Sequence, residues 1–187
     1  MENNTRNPWK TLRQKTVYNN PWIKVEHREV LNPAGNPGIY GVVHFKNIAV
    51  GILPIDKAGN TWLVGQYRYT LEAYSWEIPE GGCPEGEVPL EAAKRELQEE
   101  TGLLAQQWKP LLKLHTSNSV TDEYGFAYLA QDLSQGAASP EETEDITIKK
   151  LPFTEAVEMV MQGEITDALS IATILKAKLL MDKDQLV

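Results

Sequence analysis

Between Gly81 and Leu103 the chain reads GGCPEGEVPLEAAKRELQEETGL, with Glu96, Glu99 and Glu100 crowded directly after Arg95. Carboxylates this close repel one another, so a fold that carries them needs a compensating positive charge. A hard divalent cation meets that need. Mg²⁺ takes oxygen ligands and commonly uses a few carboxylates together with substrate phosphates. Pro89 suits a first helical turn and Gly102 a C-terminal cap, so Pro89 to Thr101 is read as a helix. At about 100° per residue, Leu90, Ala93 and Leu97 share one face, expected to pack on a sheet. Glu96 and Glu100 then stack as an i, i+4 pair, and Glu99 lies one turn from Glu96. Glu87 falls near the helix N-terminus, where the dipole favours negative charge. The glycines at 81, 82 and 86 let backbone approach a ligand closely.

The flanking sequence reads as a β-rich α+β domain. TVYNNPWIKVEHREV and GIYGVVHF have strand character, and LNPAGNPG between them is a turn signal. AVGILPI (49–55) and TWLVGQYRY (61–69) flank Asp56-Lys57-Ala58-Gly59-Asn60, which predicts a hairpin. AYSWEIPEGG reads as a short strand running into a loop, and LLKLHT, YGFAYLA and ITIKKLPF as further strands. SQGAASPEETED is a polar, acidic loop. TEAVEMVMQG is read as a helix capped by Thr154 and ended by Gly163. ITDALSIATILKAKLLMDK is read as a longer amphipathic helix. There are no internal repeats.

Length and composition narrow the partners. At 187 residues the chain is most simply one domain with a short extension. A net charge of −8 disfavours a nucleic-acid backbone, which demands a basic surface. The single cysteine, Cys83, forbids an intramolecular disulfide and fits a reducing compartment. MENNTRNPWKTLRQK lacks the apolar run of a secretion signal, and no apolar stretch approaches the ~20 residues of a membrane span. A cytoplasmic protein without membrane partners is expected. His27, His44 and His115 have no zinc-ligand spacing. Cys83 has no neighbouring His or Lys to activate it.

Two glutamates on a helix are most simply a solvated face, but the spacing here carries more information. The segment runs Gly81, five residues, Glu87, seven residues, Arg95-Glu96-Leu97, one residue, Glu99-Glu100, one residue, Gly102-Leu103. It resembles the Nudix hydrolase signature at every specified position. The resemblance implies a Nudix fold, an α/β/α sandwich around a mixed sheet. It also implies Mg²⁺- or Mn²⁺-dependent cleavage of a nucleoside diphosphate linked to another group. By position, Glu96 and Glu100 match the main metal ligands, with Glu99 auxiliary. Arg95 would orient the glutamates and pair with Glu87. The backbone carbonyl of Glu80 would add a metal contact.

The flanks are similar to the ADP-ribose pyrophosphatase and nucleotide-sugar branch of that family. GQYRYTLEAYSWEIPEGG places Arg68 where that branch holds a diphosphate or ribose, a task suited to a planar guanidinium. Trp76 is read either as a base-stacking ring or as core. Glu123 matches an acidic residue near the substrate. Asn118 stands where ADP-ribose hydrolases commonly carry proline, which keeps GDP-mannose or UDP-glucose type substrates open beside ADP-ribose. In the acidic loop, Glu142 aligns with the catalytic base and Glu144 with a metal contact. A shift of register would exchange Glu142 for Glu141 or Glu144. Residues 1–45 are expected to form a small β-extension that builds a homodimer, ahead of a Nudix domain over 46–187. A non-catalytic ligand sensor is the other class of function, but such domains tend to lose box glutamates, and all are present here.

Overall fold

The computed structural model describes residues 6–137 and 145–186. Packing divides them into two compact units. One comprises the chain through Asn47 together with Ser117–Glu123, and the other Ile48–Thr116 together with the chain from Tyr124.

The first unit is an antiparallel meander of β1 (Lys10–Asn19), β2 (Ile23–Leu31) and β3 (Pro37–Phe45), in the order β1-β2-β3. Asn32 builds its second turn. The Asn32 side-chain oxygen accepts from Ala34 N–H and Asn36 N–H, and Gly35 takes a φ of +85°, a conformation that costs glycine little. Ser117–Glu123 joins this unit through hydrogen bonds to β3. Val43 N–H donates to Val120 O at 2.9 Å, and Tyr40 O–H donates to Ser119 O at 2.7 Å. A charged network sits on β2 and β3. The buried Glu26 carboxylate meets Lys24 at 2.8 Å, Arg28 at 2.7 Å and His44 at 3.3 Å. His44 Nδ1 lies 2.5 Å from Asp122 Oδ2.

The second unit holds two sheets. β4 (Ile48–Pro54), β7 (Glu80–Cys83), β8 (Leu103–His115) and β9 (Tyr124–Gln135) form a mixed sheet in the order β7-β4-β9-β8. In it, β4 runs parallel to β9 and the other pairs are antiparallel. β5 (Asn60–Arg68), β6 (Ala73–Glu77) and β10 (Thr147–Pro152) form an antiparallel sheet in the order β10-β5-β6. The helices are α1 (Pro89–Thr101), α2 (Phe153–Gln162) and α3 (Ala168–Met181).

Strand β4 explains the layering. Val50 and Ile52 point one way, into a cluster with Ala92, Ala93 and Leu97 of α1. Leu53 points the other way, into a cluster with Phe153, Met159 and Ile174 of α2 and α3. Period-two alternation with both faces apolar marks a strand covered on both sides. Each such fully buried Leu or Ile contributes about 1.5–3 kcal/mol. The result is an α/β/α sandwich around a mixed sheet. No helix among the described residues is long and apolar enough to cross a membrane.

Several local expectations need correction. Residues 49–55 and 61–69 do not pair as a hairpin. The turn between them closes, with Asp56 N–H donating to Asn60 O at 3.0 Å. The strands then part into different sheets, because β4 takes the doubly covered position between β7 and β9. Glu80–Cys83, read as loop, is the edge strand β7. The buried stripe of α1 uses Ala92 beside Ala93 and Leu97, while Leu90 is only partly buried. Thr154 caps nothing, since α2 begins at Phe153 directly after Pro152. The last helix starts at Ala168, where the Asp167 carboxylate accepts Ser170 N–H at 2.7 Å.

At Gly81, β7 meets the Glu96 carboxylate of α1 and has no room for a side chain. A Cβ on Gly81 would fall 2.2–2.5 Å from the Glu96 carboxylate. Gly81→Ala is therefore expected to lower the melting temperature, at a cost of about 1–3 kcal/mol typical of overpacking. Calorimetric unfolding measures it, and unchanged stability would contradict this packing.

The Glu26 network gives a pH prediction. Bonds from Lys24 and Arg28 hold Glu26 down from an ordinary 4.5 to about 2. Asp122 is lowered too, its bonds from His44 and Phe45 N–H outweighing burial. A depressed carboxylate stabilises the fold above its unfolded value, and that stabilisation is lost as pH falls. Amide exchange in β2 and β3 is expected to quicken between about pH 4.5 and about pH 2, and Glu26→Gln to flatten that dependence.

Candidate active site

The site is built from α1 and the strand beneath it. The bounds of α1 follow from its ends. Pro89 opens it, and Gly102 closes it in the left-handed region at φ +71°, donating its N–H to Gln98 O. Glu96 and Glu100 are 8% and 1% exposed, so the helix turns its i, i+4 carboxylate pair toward the protein rather than toward solvent. The solvated-face alternative therefore fails.

Arg95 organises the carboxylates. Its Nε donates to Glu87 Oε1 at 3.3 Å, and Nη2 donates to Glu87 Oε2 at 3.1 Å and Gly82 O at 2.9 Å. Nη1 donates to Glu96 Oε1 at 2.7 Å and Glu99 Oε2 at 2.9 Å. A guanidinium has five N–H groups, and these contacts occupy all of them. The Glu87, Glu96 and Glu99 bonds hold the Arg95 pKa above its ordinary value against desolvation. Glu100 reaches β7 from the next turn, where its Oε2 accepts Glu80 N–H at 3.0 Å. Cys83, buried at the far end of β7, has its thiol pushed up by burial and the Glu87 charge and is not activated.

A second charged cluster lies on β5, β6 and β7. Arg68 Nε donates to both oxygens of Glu77, at 3.0 and 3.1 Å, and Nη2 donates to Glu77 Oε2 and, at 3.0 Å, to Glu80 Oε1. Glu80 Oε2 is buried and has no hydrogen-bond partner among the described residues. Burial and the neighbouring Asp167, Glu77 and Glu100 push the Glu80 carboxyl well above the carboxylate range, although Arg68 pulls it down.

Trp76 sits on β6 opposite Gly65 of β5, partly buried against the core formed with α2 and α3. Tyr74 meets it edge-on at 5.6 Å between centroids. A Cβ on Gly65 would collide with both rings at 2.5–2.8 Å, so the aromatic pair lies across that glycine. Glu123 lies in the first unit, and its backbone N–H donates to Thr121 Oγ1 at 3.4 Å. Glu142 and Glu144 lie outside the described residues, as does Glu141. Among the described residues, no group of three or more His, Cys, Asp or Glu side chains is arranged to hold an ion.

Sequence reasoning passed over Glu77 and Asp167. Glu77 is 3% exposed between Trp76 and Ile78. An acid flanked by apolar residues in a strand was the available signal, since a charge is almost never buried without a partner. Asp167 offered only the Asp-x-x-Ser spacing of a helix cap.

Comparison with known proteins agrees with this architecture. Residues 45–170 match the NUDIX domain, and residues 9–43 match the nucleoside diphosphate sugar hydrolase N-terminal domain. The chain is 36% identical over 172 residues to an ADP-ribose pyrophosphatase of Mycobacterium tuberculosis, across 89% of this chain and 82% of that protein. It is 30% identical over 167 residues to a methanol dehydrogenase activator of Bacillus methanolicus, across 88% and 90% of the two chains. An ADP-ribose pyrophosphatase of Bacillus subtilis is 29% identical over 161 residues, across 85% and 86%. A crystal structure of an ADP compounds hydrolase superposes with a TM-score of 0.85 over 96% of this chain and 97% of that one. Its 23% identity makes that a likeness of fold. With a family match over most of its length and a glutamate-bearing helix seated on a glycine-rich edge strand, the chain belongs to the Nudix family and is a hydrolase.

Proposed function

We propose that this hydrolase cleaves the diphosphate of a nucleoside diphosphate sugar with the aid of a divalent metal ion, Mg²⁺ or Mn²⁺, and that ADP-ribose is its first substrate. The observation that carries the reading is the excess of negative charge along α1 and the loop before it. There the carboxylates of Glu87, Glu96, Glu99 and Glu100 outnumber the single guanidinium of Arg95. Such a site gains from a hard cation and from the phosphates a cation brings. Two relatives that run nearly the length of the chain carry the name ADP-ribose pyrophosphatase.

The residues fit such an ion by donor chemistry. All are oxygens, and Glu80 Oε2 is a buried polar atom with no hydrogen-bond partner among the described residues. Glu96, Glu100 and the Glu80 carbonyl would hold it, with Glu144 contributing from the acidic loop. Bound there, a divalent ion neutralises phosphate charge and acidifies water.

The chain's own residues supply the rest. Arg95, fully engaged, is a positioning residue that fixes Glu96 and Glu99 and does not reach substrate. Arg68 would offset charge on the phosphate that is not attacked. Glu142 would take the proton of the attacking water. Water adds to one phosphorus, the bridging P–O bond breaks, and a nucleoside monophosphate and a sugar phosphate leave. Trp76 and Glu123 remain proposed substrate contacts. Asn118 favours a second reading, in which the sugar nucleotide is of GDP-mannose or UDP-glucose type.

A panel of nucleotide sugars assayed with Mg²⁺, and then with chelator, tests both readings. Hydrolysis of ADP-ribose that chelator abolishes is expected. Glu100→Gln is expected to cut turnover roughly a hundredfold to a thousandfold without loss of fold. Chelator-resistant turnover, or near-normal turnover in Glu100→Gln, defeats the metal assignment.

Residues 1–45 are proposed to support a homodimer. Within the first unit, Val17, Tyr18, Trp22 and Ile39 are exposed, an apolar surface of the kind that marks association. Light scattering after gel filtration is expected to give twice the chain mass across dilution, and a persistent monomer rules the dimer out.

A further inference from the structure

The grip on Arg68 is asymmetric. β5 and β6 pair Val64 with Glu77 and Arg68 with Ala73, so the arginine side chain must reach back along the ladder to find Glu77. Glu77 takes the edge of the guanidinium formed by Nε and Nη2. Glu80 takes a further bond from Nη2 at 3.0 Å. Nη1 donates to no described residue, and the Arg68 side chain keeps 35% exposure while that of Glu77 keeps 4%.

A planar group held along one edge has its opposite edge fixed in direction. An arginine not so held spreads over many rotamers, and binding must then order it. Burial of Glu77 sharpens the effect, because a carboxylate sealed from water cannot exchange its partner for solvent. Ser170 steadies the same stretch of chain, its Oγ accepting Ile78 N–H at 3.0 Å.

We propose that Glu77 is a positioning residue that holds Arg68 by its Nε–Nη2 edge, so that Nη1 is presented to the diphosphate of the bound nucleotide sugar. The inference deepens the diphosphate-hydrolase reading above and rests on it. Glu77 itself touches no substrate; its influence passes through Arg68. That separates it from a carboxylate that merely neutralises a buried arginine.

The test is a double-mutant cycle of Glu77→Gln, Arg68→Ala and the pair, read as KM and kcat for ADP-ribose and as calorimetric affinity for inorganic pyrophosphate. Glu77→Gln keeps the side-chain shape and is expected to raise KM about tenfold with kcat nearly unchanged, the mark of lost ground-state binding. Pyrophosphate is expected to bind about tenfold more weakly. Arg68→Ala is expected to lose at least as much, and the double variant no more than Arg68→Ala alone, since Glu77 acts only through Arg68. Additive losses, or a lowered melting temperature with KM unmoved, overturn the proposal. Should Glu77→Gln not fold, Arg68→Lys serves in its place. A lysine ammonium has further donors but no planar edge by which Glu77 could fix their direction, so its KM is expected to match that of Arg68→Ala, and a wild-type KM overturns the proposal. If the wild type hydrolyses no nucleotide sugar but binds pyrophosphate through Arg68 and Glu77, the substrate reading falls and this positioning stands.

Discussion

Everything in the site depends on one guanidinium with no N–H to spare. Arg95 reaches the loop before α1 through Glu87, the strand beneath it through Gly82 O, and the helix itself through Glu96 and Glu99. Each acceptor alone is a modest partner, because the side chain is about one-third exposed and exposed pairs contribute little. Together they tie three segments of backbone at a single point. They also spread one positive charge over carboxylates that would otherwise push the helix from the strand. Gly81 completes the arrangement by leaving the Glu96 carboxylate room against β7.

The two arginines divide the work between them. Arg95 is spent on structure, whereas Arg68 is gripped along one edge and open along the other. This contrast follows from where each sits. Arg95 projects from a helix into a ring of acceptors. Arg68 stands at the end of β5, where the sheet stops and the side chain is partly exposed.

Much of this was legible in the chain itself. Pro89 and Gly102 bound α1, and the spacing of Gly81, Glu87, Arg95, Glu96, Glu99 and Glu100 pointed to the family and its sandwich. What escaped was non-local. The turn Asp56–Asn60 looks the same from within whether its strands pair or diverge, and their divergence is decided by β7 and β9, which arrive later in the chain. Gly81 and Gly82 read as loop because glycine seldom strengthens a strand. They form one because Ala49 and Val50 of β4 pair with them, and at Gly81 the Glu96 carboxylate leaves no room for a side chain. Glu77 gave too faint a signal, since one acid in a strand ordinarily faces water. Thr154 failed as a cap because Pro152 already sets the approach to α2.

The hydrogen bonds between β3 and Ser117–Glu123 bear on how the protein can be cut or grafted. The polypeptide passes between its two compact units at three points, after Asn47, after Thr116 and after Glu123, rather than at one hinge. Excising the first three strands would strip Val120 O and Asp122 N–H of their Val43 partners and leave a fraying excursion inside the β8–β9 connection. Shuffling the amino-terminal piece between relatives therefore requires that this short excursion travel with it.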